Sequence, residues 1–296
     1  MIIAVASGKG GTGTTTVATS LAMSIAADGS VGPGRLQFLD CDVEEPNAAL
    51  FLKPVLTGRE EVGILIPQVD LDKCTYCGRC AEVCVWHAIA VVGEKVLIFP
   101  ELCHGCGSCT LNCPEDAISE QLNVMGTLES GTAESLDFAQ GTMDVGQAMS
   151  VPIIRQLKQQ HLPAADESVV ILDAQPGTSC PVVETMRDTD LVLMVTEPTP
   201  FGLHDLRLAV QVARDELGLP VAVVVNRDGI GDAGVDEYCT KEGIPILMRI
   251  PLDRRIGEAI SEGQVLVEAM PEYLGAFHHL YQQIAHLVAD RESPAQ

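Results

Sequence analysis

The apolar run Ile2-Ile3-Ala4-Val5-Ala6 leads straight into "SGKGGTGTTT", residues 7–16. No other feature limits the fold as tightly. A buried strand that ends in a glycine loop and restarts as a helix, from about Thr14 to Ala27, opens a β-α-β unit. Such units build parallel sheets with helices on both faces. The loop also fits the pattern G-x-x-x-x-G-K-[ST], whose backbone amides cradle phosphate while its lysine reaches the outer phosphates. Gly8 and Gly13 are in register and Thr15 follows correctly, but Thr14 stands where the lysine belongs. A hydroxyl does not replace that charge. Losing one charge-assisted contact weakens binding by about 1.5–3 kcal/mol, and a transition state by more. The expectation is a nucleotide site by architecture, with weak hydrolysis of its own.

Short β-branched runs recur at 36–40, 168–173, 191–195, 221–225 and 246–250, and a helical stretch at 203–217 stops at Gly218. This alternation predicts one α/β domain with a parallel sheet. Between Asp40 and Ser168 the pattern breaks. The expected organisation is a nucleotide-binding domain from residues 1–62 and 121–296, interrupted by a small α+β domain at 63–120. The Gly- and Thr-rich piece 121–146 is expected to form small strands, and 145–160 a helix. Net charge is -23, which repels phosphate backbones and anionic lipid, so nucleic acid and membrane are not expected partners. No apolar run reaches the ~18 residues of a membrane span, and no leader pattern opens the chain. A cytoplasmic protein is expected.

Eleven cysteines are present, eight of them between 74 and 113. "DKCTYCGRCAEVCVWHAI" (72–89) lies over "ELCHGCGSCTLNCPEDAI" (101–118) at an offset of 29 residues. Both copies read C-x2-C-x2-C-x3-C. In this bacterial ferredoxin spacing, three cysteines hold one cubane and the fourth serves the other. Cys74, Cys77, Cys80 and Cys113 are thus expected on one [4Fe–4S] cluster, and Cys103, Cys106, Cys109 and Cys84 on the second. Gly78 and Gly107 permit the tight turns. The second copy keeps Pro114, where the first has Val85. Zinc knuckles and disulfides are the alternatives. Zinc usually takes four ligands in paired knuckles, not two complete runs of four, and disulfides belong to oxidising compartments. Trp86 is expected to pack beside a cluster. His87 and His104 are read as solvated loop residues. Cys41 and Cys239 are read as core or surface residues.

The chain resembles the MinD/ParA group of ATPases, which carry a deviant Walker A loop, here "GKGGTGTTT". "DCDVEEPN" (40–47) is similar to that group's first switch, and "VVILDAQPGTSCPVVET" (169–185) to its Walker B and second switch. "VTEPT", "VVVNR" and "IPLDRRIGEAISEG" match later motifs. The cysteine block makes it resemble members with an inserted ferredoxin domain; the nitrogenase iron protein is a more distant relative. The resemblance implies ATP or ADP with Mg²⁺, cradled by Gly8, Gly10, Gly11, Thr12 and Gly13. Thr15 would ligate Mg²⁺, Thr16 would contact the α-phosphate, and Asp173 would hold the metal through water. Asp40 takes the metal-associated position and Asp42 the water-orienting one. Gly177 would sense the γ-phosphate, and Asn226, followed by Arg227, would read adenine. Lys9 would act on a partner's nucleotide across a dimer. Cys180 matches the place of a bridging-cluster ligand in the nitrogenase iron protein; a small buried thiol is the plainer reading.

The expected function is a dimeric ATP-binding protein that couples nucleotide state to electron delivery through two clusters. Its partner is a second copy or a related ATPase, with a redox protein as client. An assembly scaffold that loads metal clusters onto a metalloprotein client is the alternative. A positioning ATPase ranks last, because the tail 272–296 is helical but poor in basic charge.

Overall fold

The computed structural model describes residues 1–29, 31–32, 35–163 and 168–292. The chain opens with β1 (Ile2–Ala6), α1 (Thr14–Asp28), β2 (Leu36–Asp40), α2 (Ala48–Leu52) and a long β3 (Val55–Val69). The cysteine block holds α3 (Arg79–Val83), β4 (Ile89–Val91), β5 (Val96–Ile98) and α4 (Ser108–Leu111). Then come β6 (Ile118–Ala133), β7 (Leu136–Met143), α5 (Val151–His161), β8 (Val169–Asp173) and α6 (Cys180–Met186). The chain continues through β9 (Leu191–Thr196), α7 (Pro200–Val210), β10 (Val221–Asp228), α8 (Gly234–Glu242) and β11 (Ile246–Pro251). It ends with α9 (Arg254–Ser261), α10 (Leu266–Ala269) and α11 (Leu274–Glu292).

Among the described residues nine strands form one sheet in the order β11-β10-β9-β1-β8-β2-β7-β6-β3. The seven from β11 to β7 run parallel; β6 is antiparallel to both of its neighbours. One core lies on the α1 and α11 face, where Val17, Leu21, Phe277 and Leu280 cover Ile3, Val5 and Phe38. The other lies under α5 to α8, built on Ile153, Leu157, Val182 and Leu206. Both faces are covered, so the central strands read as continuous apolar runs rather than alternating ones. The helix expected over 203–217 is α7, continued by a π-helical turn at Gln211–Glu216. The helix expected at 145–160 is the shorter α5.

The small strands expected in 121–146 are instead the long β6 and β7, and β6 pairs with the equally long β3. The glycines that read as loop allow this close pairing. A Cβ at Gly63 would lie 1.9 Å from the Asn123 carbonyl oxygen, and the register shifts there. Glycine at a bulge lets two backbones approach where a side chain would not fit. β3 and β6 run through the expected boundaries at 62/63 and 120/121 without interruption.

Residues 70–117 form a lobe at the far end of that pair, and the sequence repeat is also a backbone repeat. Left-handed φ angles recur 29 residues apart: Tyr76 at 55° and Gly105 at 64°, Gly78 at 80° and Gly107 at 70°, His87 at 52° and Asp116 at 48°. The Asp70 amide donates to the Ala117 carbonyl at 2.8 Å, and its counterpart Phe99 donates to Ala88 at 2.8 Å. The Ile89–Ile98 pair is likewise the image of the Val69–Ile118 pair. Each copy therefore completes the other's strand pair across a local twofold.

Candidate functional site

The phosphate loop leaves β1 and enters α1 through Gly13, whose φ of 94° a side chain would strain. A Cβ there would also meet Asn226 Nδ2 at 2.4 Å. That amide donates to the Thr12 carbonyl at 2.7 Å, so Asn226 braces the loop from the end of β10. Inside the loop the hydroxyls form a relay. Thr14 donates to Ser7 Oγ at 2.9 Å, Ser7 donates to the Lys9 carbonyl at 2.9 Å, and Thr12 Oγ1 lies 3.3 Å from Thr14 Oγ1. Thr15 and Thr16 lie in the first turn of α1, where the helix dipole favours an anion.

The register sets Asp40 and Asp173 side by side at the carboxyl ends of β2 and β8, the edge where open α/β sheets bind ligands. Both are fully buried. Asp40 is satisfied locally: one oxygen accepts from the Asp42 amide at 3.1 Å, the other from Asn47 at 3.0 Å and Ala48 at 2.9 Å. Burial still pushes its carboxyl up to about 7, against those amides and with help from the Asp42 charge. Neither oxygen of Asp173 has a hydrogen-bond partner. Burial, then the charge of Asp40, raises its carboxyl well above the usual range, with the Thr15 hydroxyl opposing. Burial also lifts Asp42 to about 6. Two adjacent buried carboxyls resist joint ionisation unless a cation compensates them. The orphaned Asp173 oxygens and the Thr15 hydroxyl are hard oxygen donors of the kind Mg²⁺ takes. These residues fit the ion.

Gly177 has φ 108° and donates its amide to the Ser7 carbonyl at 2.9 Å, which ties the segment after β8 to the loop. Lys9 is turned within its own chain: Nζ meets Glu197 Oε2 at 3.0 Å. The other Glu197 oxygen accepts from Arg227 Nη1. An open cleft of about 640 Å³ lies between the loop and the turn from β11 into α9, lined by Gly11, Gly13, Thr16, Asn226, Arg227 and Arg254. Glu197 and Arg254 were not singled out by sequence reasoning. The available signal was an acid directly after the strand beside β1, and the basic pair opening α9.

In the lobe, Cys74, Cys77, Cys80 and Cys113 line one cavity. Cys84, Cys103, Cys106 and Cys109 line a second. The fourth cysteine of each run thus lies with the other run's three. Among the described residues no three of His, Cys, Asp and Glu are gathered as a single metal ion needs. Equivalent amides, Ala88 and Ala117, donate to the Cys84 and Cys113 sulfurs at 3.3 Å. Trp86 stacks on His104, ring centroids 3.7 Å apart, at the wall of the second cavity. The spacing alone does not disclose that pairing. Cys180 is exposed at the start of α6, so the plainer reading of a small buried thiol does not hold; Cys41 and Cys239 are buried, and burial raises both thiols, that of Cys239 to about 11. Among the described residues no helix is long and apolar enough to cross a membrane.

An uncharacterised protein of Methanocaldococcus jannaschii is 32% identical over 270 residues, spanning 89% of this chain and 90% of that protein. The cytosolic Fe-S cluster assembly factor Nubp2 homolog of Anopheles gambiae is 25% identical over 295 residues, 92% of this chain and 90% of its own length. Among solved structures, the septum site-determining protein MinD of Pyrococcus horikoshii, complexed with Mg-ADP, superposes with a TM-score of 0.57 at 19% identity, covering 99% of each chain. That likeness shows the fold. The sequence profile of the CobQ/CobB/MinD/ParA nucleotide binding domain matches residues 3–267. On that match the chain belongs to the MinD/ParA-type family of nucleotide-binding proteins.

Proposed function

We propose that this chain is an ATP-binding iron–sulfur protein in which the nucleotide state of a dimer is coupled to electron transfer through two [4Fe–4S] clusters. The observation that carries the reading is the sorting of eight cysteines into two cavities with the fourth ligands exchanged. Cys74, Cys77, Cys80 and Cys113 would hold one cluster, and Cys84, Cys103, Cys106 and Cys109 the other. The lobe 70–117, within the expected 63–120, then forms the inserted ferredoxin-like domain. When bound, the clusters supply one-electron chemistry at potentials set by charge, hydrogen bonds to sulfur and exposure. The chain's own contribution includes the Ala88 and Ala117 amides on two of the sulfurs, which stabilise the thiolate form.

Coupling has a physical medium. One continuous core joins Val182 and Met186 of α6 to Leu157 of α5, to Ile64 of β3 and on to Ala88 and Cys103. Nucleotide at Asp173 and Gly177 acts at the start of α6, and the core carries packing from there to the second cavity. ATP and Mg²⁺ enter this reading through the family and the fit of Asp173 and Thr15. The experiment is anaerobic purification with iron and sulfide analysis, followed by redox titration with and without MgADP. About eight iron and eight sulfide per chain, with midpoint potentials that move on nucleotide addition, support it. Stoichiometric zinc without sulfide sinks the cluster reading; potentials indifferent to nucleotide sink the coupling.

A second reading, a scaffold that assembles clusters for a client protein, is favoured by the relative named as a cluster assembly factor. Rapid transfer of iron and sulfide to an apo-ferredoxin would select it over electron transfer.

A further inference from the structure

Lys9 is the single lysine or arginine in residues 7–16, because Thr14 occupies the usual lysine position. The positive charge of the phosphate loop is therefore the charge of Lys9. In this structure it lies on Glu197 at 3.0 Å. Arg227, which lines the open cleft beside the loop, lies on the other oxygen of the same carboxylate. One acid thus occupies a cation from the loop and a cation from the cleft beside it. β9, which delivers Glu197, lies between β1, which delivers Lys9, and β10, which delivers Arg227.

The three partners are unequal in mobility. The Glu197 side chain is 7% exposed, against 32% for Lys9 and 47% for Arg227. The Glu197 carbonyl accepts from the Thr199 amide at 2.8 Å, and Gly202 packs against it so closely that a Cβ would sit 2.2 Å away. The acid is fixed where α7 begins; the cations are long, half-exposed side chains that can turn. A nucleoside polyphosphate entering the loop is the stronger anion, and charge-assisted bonds to phosphate compete directly with those to a carboxylate.

We propose that Glu197 is an internal competitor for the nucleotide's phosphates: it holds Lys9 and Arg227 in the empty site and yields Lys9 when nucleotide binds. Glu197 thereby sets nucleotide affinity in a loop that has no second lysine. It is a positioning residue acting through Lys9. The proposal rests on nucleotide binding by this chain, and it turns Lys9 to the chain's own nucleotide rather than across a dimer as the resemblance implies.

The test is calorimetric titration of MgADP into intact protein. Glu197→Gln keeps the shape and removes the charge. Binding is expected to tighten by roughly tenfold, the lower end of one charge-assisted contact. Lys9→Ala placed on top of Glu197→Gln should abolish that gain. A merely structural salt bridge gives the opposite sign: the variant loses thermal stability and binds no tighter. Unchanged or weaker affinity with a native circular dichroism spectrum overturns the proposal, and so does a gain that survives Lys9→Ala. Should Glu197→Gln fail to fold, Glu197→Asp, which keeps the charge but shortens the reach to both cations, is expected to show a smaller gain of the same sign. Failure of both to fold makes Glu197 a structural anchor and ends the proposal. If neither the unaltered chain nor any variant binds MgADP, nucleotide binding itself falls with it. If the unaltered chain binds and Glu197→Gln gains nothing, only this inference falls.

Discussion

The Thr14 hydroxyl donates to Ser7 Oγ at 2.9 Å, so the residue in the lysine position of the loop is spent on the loop itself. Thr14→Lys breaks that bond and brings an ammonium to the start of α1, with Gly13 and Thr15 already in place. The lost hydroxyl contact is worth about 1 kcal/mol, against about 1.5–3 kcal/mol for a charged contact to phosphate. Taking the one from the other, the variant is expected to bind MgADP about 2- to 30-fold more tightly and to hydrolyse ATP faster, at a small cost in thermal stability. Titration calorimetry and a phosphate-release assay check it. If unaltered protein already turns over ATP at ~1 s⁻¹ or faster, in the ordinary enzyme range, Thr14 is no handicap.

The exchange of fourth cysteines makes a second prediction with a crossed sign. Cys84 belongs to the first run by sequence but lines the cavity of the second; Cys113 does the reverse. Cys84→Ser is expected to damage the cluster held by Cys103, Cys106 and Cys109, and Cys113→Ser the cluster held by Cys74, Cys77 and Cys80. Each should lower iron from about eight to about four per chain. Paramagnetic resonance of the reduced protein distinguishes the two remaining clusters. Loss of the cluster of the residue's own run in either variant would contradict the exchange.

The sheet was legible because its central strands are buried on both faces, and such strands announce themselves as unbroken apolar runs. Ile2–Ala6 and Val169–Asp173 are of this kind. The spacing also anticipates how the cysteines lie in space, since the fourth of each run lines the cavity of the other run's three. β3 and β6 were not legible. Residues such as Gly58, Gly63, Gly126 and Gly131 are turn formers by composition, and only the opposing strand explains them. The Lys9–Glu197–Arg227 contact was equally hidden, because it joins three strand ends that are neighbours in the sheet but remote in sequence. The sequence reading placed Lys9 across a dimer; in the single chain the same ammonium has a partner of its own.

A buried lysine holds the end of α6. Lys158 of α5 donates to the carbonyl oxygens of Glu184 at 2.8 Å and Thr185 at 3.1 Å, and also to Arg187, at the end of α6. The last carbonyls of a helix lack partners within it, and a cation there also meets the negative end of the dipole. Burial lowers the Lys158 ammonium from its ordinary range, so those bonds are what keep it charged inside. Lys158→Met preserves bulk and removes every donor. It is expected to destabilise the fold by about 2–4 kcal/mol, since buried carbonyls are left unpaired. Denaturant melts give the loss, and amide exchange should show it concentrated in 180–187. A uniform loss of protection would argue against a local role.

The buried carboxyls predict an unusual pH dependence. Asp40 ionises at about 7 in the fold against 3.8 in the unfolded chain, and Asp173 is raised with it. Between those values the folded state binds more protons than the unfolded one. Stability is therefore greatest at the acid end and falls as pH rises from about 4 to about 7. Asp42, raised to about 6, adds in the same direction. Surface repulsion from the charge of -23 has the same sign, but salt screens it and leaves buried pairs nearly untouched. The nucleotide-free protein in high salt is thus expected to melt at a higher temperature at pH 5 than at pH 8. MgADP should reverse the order, because the ion needs ionised Asp173 and protons compete with it below the raised pKa values. Thermal melts at both pH values, with and without MgADP, decide it. A nucleotide-free melting temperature that climbs from pH 5 to pH 8 would mean that Asp40 and Asp173 are already ionised in the fold, and that something other than the metal compensates them.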